Sequence, residues 1–164
     1  MSVFNKPWGQ ILTFVIAALI VNVVSYALHI YGKRIHHGSY THNKLIPPGF
    51  VIAIIWVVLF GFFGYAHYLT YTAHGGWCVA SVAIIVFAVY CLLYPFLVAH
   101  SEKRARLMNY IAFVLAFVVG LLVLEQSQTA FYYLIPVIAW TGYINFVDMM
   151  HINEHCMMDG VKIV

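Results

Sequence analysis

Charged residues are so widely spaced in this chain that long uncharged runs separate them. The longest run covers residues 45–101, and shorter ones cover residues 7–32, 107–124 and 126–147. A helix needs about 20 apolar residues to cross a bilayer, so the longest run suffices for two crossings and each other run for one. The polar, glycine-containing stretch 72–76 is where the longest run is expected to turn.

Composition supports the same conclusion, because only 8% of the residues are charged and 64% are hydrophobic. Soluble domains carry about 25% charged residues. The uncharged runs are continuously apolar rather than alternating, which argues against membrane strands. We therefore predict an all-α integral membrane bundle of five transmembrane helices, with residues 1–164 as a single domain. Charge spacing places the helices at about 10–31, 49–71, 77–99, 108–124 and 131–150.

The distribution of basic residues predicts the orientation of the bundle. Five crossings put the two termini on opposite sides, and seven of the eight Lys and Arg residues fall on the C-terminal side, leaving only Lys6 on the other. Cytoplasmic loops collect Lys and Arg. We expect the N-terminus outside and the C-terminus in the cytoplasm. The small, scattered net charge of +3 argues against a nucleic-acid partner.

The most informative motif occupies residues 47–60. It begins with Pro47 and Pro48, which favour a helix start, and continues to Trp56 and Leu59. It resembles the second helix of the TspO/MBR family (translocator protein, tryptophan-rich sensory protein or peripheral-type benzodiazepine receptor), which reads Pro-Pro-x-Trp-Val-Phe/Leu-Gly-Pro-Val-Trp. Further similarity lies at residues 7–8, 63–69, 93–96 and 132–145.

Several departures identify the chain as a divergent member. Ala53 and Ile54 replace the Gly-Pro of the motif, and Pro136 replaces a tryptophan of the fifth helix. The segment that recognises sterols in animal members has lost its Tyr and Arg, since Phe146 and Met150 stand there.

The resemblance implies a membrane receptor or translocator-like protein. Its expected ligands are porphyrins or haem, with sterols and other lipophilic molecules as further ligands, bound in a cavity within the bundle. No cofactor is required on this interpretation. A binding protein is favoured over an enzyme, although the resemblance leaves porphyrin degradation open. The implied partners are the lipid bilayer, the ligand and a second copy of the chain in a homodimer. The implied location is the mitochondrial outer membrane or a bacterial membrane, depending on the source.

The resemblance also implies the site residues. Trp56 corresponds to the tryptophan that lines the family's cavity, where an indole face can stack on a planar ligand. The other positions expected at the ligand are Tyr26, His29, Ile52, Ala53, Tyr90, Leu93, Trp140, Thr141, Ile144 and Asn145. Porphyrin propionates are expected to face the basic residues between the first two helices, which are Lys33, Arg34 and Lys44. Hydrogen bonding between helices remains the alternative role for Tyr90 and Asn145.

Other residues leave alternative functions open. His29 and His67, on opposite halves of the membrane, are compatible with a small histidine-ligated redox protein that uses haem or copper. His151 and His155 have metal-ligand spacing but no third ligand, so they are weak candidates, and no metal site is predicted. A purely structural subunit with an empty bundle is a third possibility.

Two further expectations concern the surroundings of an acidic residue and of the three cysteines. Asp148, close to the cytoplasmic end of the fifth helix, is expected to extend towards water. Cys78, Cys91 and Cys156 show no metal-binding spacing and are expected to be small core residues.

Overall fold

The computed structural model describes residues 6–27, 47–98 and 102–160, with the side chains of residues 98, 102, 103 and 151–160 outside this description. In these ranges the chain forms five helices: α1 (Pro7–Ala27), α2 (Gly49–His74), α3 (Val79–Val98), α4 (Glu102–Gln126) and α5 (Gln128–Gly160). Every one contains a stretch long and apolar enough to cross a membrane. The predicted all-α bundle of five transmembrane helices is confirmed.

The last two helices extend beyond the ends expected from charge spacing, whereas α3 is slightly shorter than its expected range of 77–99. α4 begins at Glu102 and so includes the basic residues up to Arg106, and α5 continues as a helix to Gly160. Charged and polar residues are compatible with helical backbone at the headgroup level, because side chains reach water there while the backbone keeps its internal hydrogen bonds. Spacing of charges therefore underestimates the lengths of α4 and α5.

Two short connections join helices on the same side of the bundle. α2 ends where Gly75 adopts a left-handed conformation with φ of 75°. The N–H of Gly75 donates to Thr72 O at 3.2 Å and the N–H of Gly76 donates to Tyr71 O at 2.9 Å, which satisfies the last carbonyls of the helix. Between α4 and α5 only Ser127 intervenes, and its Oγ accepts a hydrogen bond from the N–H of Ala130 at 3.3 Å.

The helices pack in the order α1, α2, α5, α4, α3 around the bundle. α3 packs closely on α4 but much less extensively on α1 and α2. The centre of the core contains the fully buried Phe63 of α2 and Phe87 and Ile84 of α3, and the two phenylalanine rings meet edge to face at 5.4 Å. Of the interfaces between neighbouring helices around the bundle, the seam between α3 and the α1–α2 pair is therefore the least extensively packed.

Many large apolar side chains lie on the outer surface, as expected for a protein whose solvent is lipid. Val23, Phe50 and Val79 are each more than 60% exposed. Of the cysteines, Cys91 is buried and Cys78 is half-buried against the core, and both are free thiols. The expectation for these two as small core residues is confirmed, whereas the side chain of Cys156 lies outside the described part of the chain.

Candidate ligand-binding site

A small cavity lies where α1, α2 and α3 meet, towards the end of the bundle at which α1 ends and α2 begins. It has a volume of about 60 Å³. The residues around it are Ala18, Val21 and Asn22 of α1, Ile52, Trp56 and Phe60 of α2, and Cys91, Leu92, Tyr94 and Pro95 of α3. The lining is thus mostly apolar, with an amide from Asn22 and a phenol from Tyr94.

The helical period explains why the α2 residues share this cavity. Ile52, Trp56 and Phe60 are spaced four residues apart and so lie above one another on one helix face. Trp56 is half-buried, and its ring lies 6.3 Å from that of Phe60 with a tilt of 56°. An indole on an apolar wall offers a flat, polarisable surface on which a planar ligand can stack.

Pro95 shapes the wall that α3 contributes. Proline has no N–H, so the carbonyl of Cys91, one turn earlier, has no helical donor at this position. Both residues line the cavity. Pro95 therefore interrupts the backbone hydrogen bonding of α3 beside the cavity.

The structure brings some predicted site residues to this cavity and separates others from it. Trp56 and Ile52 line the cavity, whereas Ala53 does not. Tyr26 is 81% exposed and Leu93 is 51% exposed, which places both side chains on the outer surface of the bundle. Both residues belong to helices that line the cavity, but their side chains are directed outwards.

Tyr90 and Asn145 connect helices instead of lining the cavity. The Tyr90 hydroxyl donates to the carbonyl of Met108 on α4 at 2.7 Å. Asn145 Nδ2 donates to the carbonyl of Asn109 on α4 at 3.0 Å and to Thr141 O in its own helix at 2.8 Å. Hydrogen bonding between helices, the alternative left open from the sequence, is the role that these two side chains have in the fold.

The remaining predicted residues of α5 are also separate from the cavity. Thr141 is buried and donates its hydroxyl to Val137 O in its own helix at 3.0 Å. Trp140 and Ile144 are half-buried. The Trp140 ring stacks on Tyr143 at 5.7 Å, and its buried indole N–H has no hydrogen-bond partner. α5 packs on α2 and α4, so its inward face meets the side of the bundle away from the cavity.

Part of the predicted site lies outside the described residues, namely His29, Lys33, Arg34 and Lys44. The backbone at His151 and His155 is helical, but their side chains are not part of the description. Among the described residues, no group of three or more His, Cys, Asp or Glu side chains is placed to hold a metal ion.

Three residues that line the cavity were not among the site residues expected from the sequence, namely Asn22, Phe60 and Tyr94. Phe60 follows Trp56 by four residues, and this spacing was a usable signal. Asn22 is an amide within an otherwise apolar helix, which is also a signal of a specific role. Tyr94 gave no such signal, because the resemblance assigned its neighbour Leu93 to the site.

A network of buried polar groups extends from the cavity across three helices. Tyr94 of α3 donates its hydroxyl proton to Asn109 Oδ1 of α4. Asn109 Nδ2 in turn donates to Asp148 Oδ2 of α5 at 2.6 Å. Asn109 is 7% exposed and Asp148 is 8% exposed. The expectation that Asp148 extends to water is therefore wrong, because packing of α4 against α5 encloses its carboxylate beside an amide donor.

A second polar pair lies near the opposite end of the bundle. His67 of α2 is 6% exposed, and its Nδ1 forms a hydrogen bond with Gln10 Oε1 of α1. Because an amide oxygen only accepts, Nδ1 carries the proton and Nε2 of the neutral ring has an available lone pair. Nε2 is buried without a hydrogen-bond partner. The rings of Phe14, Tyr71 and Trp77 lie 5.9, 6.2 and 5.7 Å from the imidazole.

Comparison with protein families supports the resemblance noted from the second-helix motif. The family model described as TspO/MBR matches residues 12–151, which is most of the chain. The chain belongs to the TspO/MBR family. Comparisons with curated proteins and with solved structures found no match.

Family membership and the five apolar helices together define the setting of the cavity. This TspO/MBR protein is a multi-pass integral membrane protein whose environment is the lipid bilayer. Its membership supports a receptor or translocator-like role. The cavity of this TspO/MBR protein lies within the bundle and is lined by the tryptophan of its family motif.

Proposed function

We propose that this TspO/MBR protein binds a porphyrin or haem in the cavity lined by Trp56, with sterols as further ligands. The observation that carries the proposal is the position of Trp56. Its indole is half-buried on the wall of an apolar cavity, beside Phe60 and Ile52. A tetrapyrrole is planar, apolar and polarisable, so stacking on an indole is the contact expected for it.

Ligand binding on this proposal requires the bundle to open. The cavity of about 60 Å³ is far smaller than the roughly 300–1,000 Å³ of sites for small molecules. α3 packs much less extensively on α1 and α2 than on α4, and the cavity lies at that seam. We therefore propose that α3 moves away from α1 and α2 to admit the ligand. The necessary space comes from the seam that has the least packing to lose.

Charge supports one orientation of the ligand. The cavity lies towards the end of the bundle where residues 28–46 join α1 to α2, and Lys33, Arg34 and Lys44 belong to that segment. Porphyrin propionates are anionic and need cations or water at the membrane surface. We propose that the propionates point to this end, and that it is the cytoplasmic side, as the excess of basic residues indicates.

Titration with protoporphyrin IX, haem and cholesterol tests the proposal. We expect Trp56→Phe to weaken protoporphyrin IX binding about 2- to 10-fold, since one favourable aromatic contact contributes about 0.5–1.5 kcal/mol. Quenching of tryptophan fluorescence by the porphyrin should fall at the same time. Trp8→Phe is the matched control, because Trp8 is 78% exposed and remote from the cavity.

Each result of these titrations leads to a different conclusion about binding. Retention of both affinity and quenching in Trp56→Phe contradicts binding at this cavity. An equal loss in Trp56→Phe and Trp8→Phe would assign the effect to non-specific adsorption on the surface. Failure of the wild-type protein to bind any of the three ligands contradicts the proposed function as a whole.

The geometry of His67 favours one second candidate, a histidine-ligated haem protein. Histidines that ligate metals usually donate their other ring N–H to a carbonyl or carboxylate oxygen, as His67 does to Gln10. Nε2 is then the nitrogen that would bind iron, and it has no other partner. An absorption spectrum of the purified protein tests this candidate. It requires a stoichiometric Soret band that His67→Leu abolishes, and a colourless protein contradicts it.

A further inference from the structure

Three helices enclose the cavity, and the seam between α1 and α3 is the one placed to open towards lipid. We propose that ligands enter from the bilayer through a lateral portal, the α1–α3 seam beside the cavity, and that the side chain of Leu92 closes this portal. The proposal rests on the proposed function, since it assigns the route by which a ligand dissolved in the membrane reaches its cavity.

The order of the helices leaves two seams that can connect the cavity with lipid. α1 and α3 close the ring α1, α2, α5, α4, α3, so the neighbours of α3 around the bundle are α4 and α1. α2 and α3 meet in the interior, where the buried rings of Phe63 and Phe87 are in contact. Their contact therefore has no lipid on its outer side, and the remaining candidates are the α1–α2 and α1–α3 seams.

The α1–α2 seam is held closed by its packing. It is the most extensive interface between any two of the described helices. At Gly64 the two backbones are so close that an added Cβ would lie 2.7 Å from the Cα of Ile11. The buried side chains of His67 and Gln10 join the same two helices by a hydrogen bond. Opening this seam would therefore break the best-packed contact of the bundle, and α1 and α2 are expected to move as one unit.

α3 is fixed to α4 at the level of the cavity. The Tyr90 hydroxyl donates to the carbonyl of Met108 at 2.7 Å, and the Tyr94 hydroxyl donates to Asn109 Oδ1. Separating α3 from α4 would leave these polar groups unpaired away from water, which is costly. α3 packs much less extensively on α1 than on α4. Opening therefore separates the α1–α2 pair from the α3–α4 pair, and its lipid-facing edge is the α1–α3 seam.

Leu92 lies on the flank of α3 that faces α1. Successive residues of a helix point about 100° apart, so Leu92 points about 160° away from both Tyr90 and Tyr94, whose hydroxyls meet α4. Because the neighbours of α3 are α4 and α1, the flank opposite α4 is the one beside α1. Leu92 is half-buried against the core and lines the cavity. Its side chain thus lies between the cavity and the lipid at this seam.

The contacts of Leu92 are ones that lipid or an apolar ligand can replace. Acyl chains are as apolar as leucine, so dispersion rather than a hydrophobic driving force holds this side chain in the seam. A charged molecule cannot follow the same route easily, because placing a charge in the hydrocarbon is costly. The portal therefore admits molecules that dissolve in the bilayer and excludes charged molecules from the water on either side.

The thiol of Cys91, which lines the cavity, reports on the portal without any proposed ligand. In a Cys78→Ser and Cys156→Ser background it is the one thiol that remains. The protein in lipid nanodiscs is treated with phenylmercury acetate, which dissolves in lipid, or with p-chloromercuribenzenesulfonate, which is charged and stays in water. Either reagent replaces the thiol proton with an arylmercury group, and mass spectrometry measures the rate. We expect phenylmercury to react at least about 10-fold faster than the sulfonate.

Leu92→Ala tests the gate. We expect it to raise the rate at which phenylmercury labels Cys91 about 5-fold or more, because the truncated side chain loses dispersion contacts that keep the seam closed. The sulfonate should remain slow. Leu93→Ala is the matched control, because the same side chain one position further is 51% exposed on the outer surface. This control should keep the wild-type labelling rate.

Several results of the labelling experiment overturn the proposal. Equal rates for the two reagents would mean entry from water, and no labelling by either would mean that the seam stays closed. An unchanged rate in Leu92→Ala, or an equal increase in Leu93→Ala, contradicts the role of Leu92. If Leu92→Ala accelerates both reagents to the same extent, the bundle has loosened as a whole and the assignment of the gate fails.

Binding kinetics connect the portal with the proposed function. In stopped-flow quenching of tryptophan fluorescence by protoporphyrin IX, Leu92→Ala should raise the association and dissociation rates together, each about 5-fold, with little change in Kd. A side chain that only gates the route changes the barrier in both directions, whereas a change confined to dissociation would make Leu92 a ligand contact and overturn its role as a gate.

The proposed function and the portal fail in different ways. If protoporphyrin IX, haem and cholesterol do not bind while Cys91 is labelled as expected, the proposed function fails and the portal remains a route from lipid to the cavity. If protoporphyrin IX binds but neither its rates nor the labelling of Cys91 depend on Leu92, the portal alone is overturned.

Discussion

At Gly64 the backbones of α1 and α2 approach each other closely, and replacing this glycine with alanine is a direct test of their packing. A Cβ atom at this position would lie 2.7 Å from the Cα of Ile11, 2.9 Å from the carbonyl oxygen of Gln10 and 3.0 Å from the backbone nitrogen of Ile11. All three atoms belong to the backbone of α1. No side-chain rotation can relieve these contacts, so the helices must move apart.

The size of the effect follows from these distances. Carbon atoms pack best at about 3.5–4.0 Å, so α1 must shift by about 1 Å to accept the new methyl group. Overpacking of this kind costs about 1–3 kcal/mol. The shift also strains the hydrogen bond between Gln10 and His67, and such bonds between membrane helices contribute about 0.6 kcal/mol on average. Against this, alanine gains about 1 kcal/mol over glycine within a helix. We expect the free energy of unfolding of Gly64→Ala to fall by about 0.5–2.5 kcal/mol.

Unfolding of the purified protein by sodium dodecyl sulfate in mixed micelles, followed by tryptophan fluorescence and circular dichroism, measures this change. Gly61→Ala is the matched control, one turn earlier on the same helix. A Cβ there would meet only Val15 Cγ2, at the ordinary contact distance of 3.7 Å. Gly61→Ala should therefore equal the wild type or exceed its stability by up to about 1 kcal/mol.

The reasoning requires Gly64→Ala to have a lower free energy of unfolding than Gly61→Ala. Equal stability of Gly64→Ala and Gly61→Ala, within about 0.5 kcal/mol, would mean that α1 and α2 do not approach each other as closely as the fold requires. A fall in both variants would indicate that any added methyl group on this helix is harmful. Only a loss confined to Gly64→Ala supports the close contact.

Two other changes test the core and the polar pair at the opposite end of the bundle. Phe63→Ala, which truncates a fully buried ring between α2 and α3, should lower the free energy of unfolding by about 3–5 kcal/mol, whereas Phe117→Ala, at a 52% exposed position, should change it by about 0.5 kcal/mol or less. Similar losses in both would argue against Phe63 as a central core residue. In a double-mutant cycle, His67→Leu and Gln10→Leu should show a coupling free energy of about 0.6–1.7 kcal/mol. A coupling of zero in the same unfolding assay would contradict the hydrogen bond between α1 and α2.

The number and type of the helices could be predicted from the sequence because their cause is local. Placing a charge in the bilayer core is costly wherever it occurs along the chain, so the uncharged runs between Lys44 and Glu102, and on either side of them, identify the spans. The turn at Gly75 was equally local, since a left-handed residue at the end of a helix favours glycine. The connection at Ser127 was less predictable, because polar residues near a membrane surface are compatible with a helix as well as a loop.

The family motif identified Trp56, but the rest of the cavity depended on how the helices rotate and which neighbours they meet. Successive residues of a helix point about 100° apart, so Leu93 faces outwards while Tyr94 lines the cavity. Hydrophobic periodicity could not distinguish the two directions, because in a membrane the outer surface of a bundle is as apolar as its core.

Asp148 shows the same division between sequence and tertiary structure. Its sequence position determined how deep it lies along α5, and from that depth alone contact with water was a reasonable expectation. Only the packing of α4 on α5 brought Asn109 to it and enclosed the carboxylate. The sequence alone thus determined where the chain crosses the membrane, because insertion depends on each segment's own transfer free energy. The tertiary structure decided which polar groups meet at the cavity, because that depends on contacts between segments far apart in the chain.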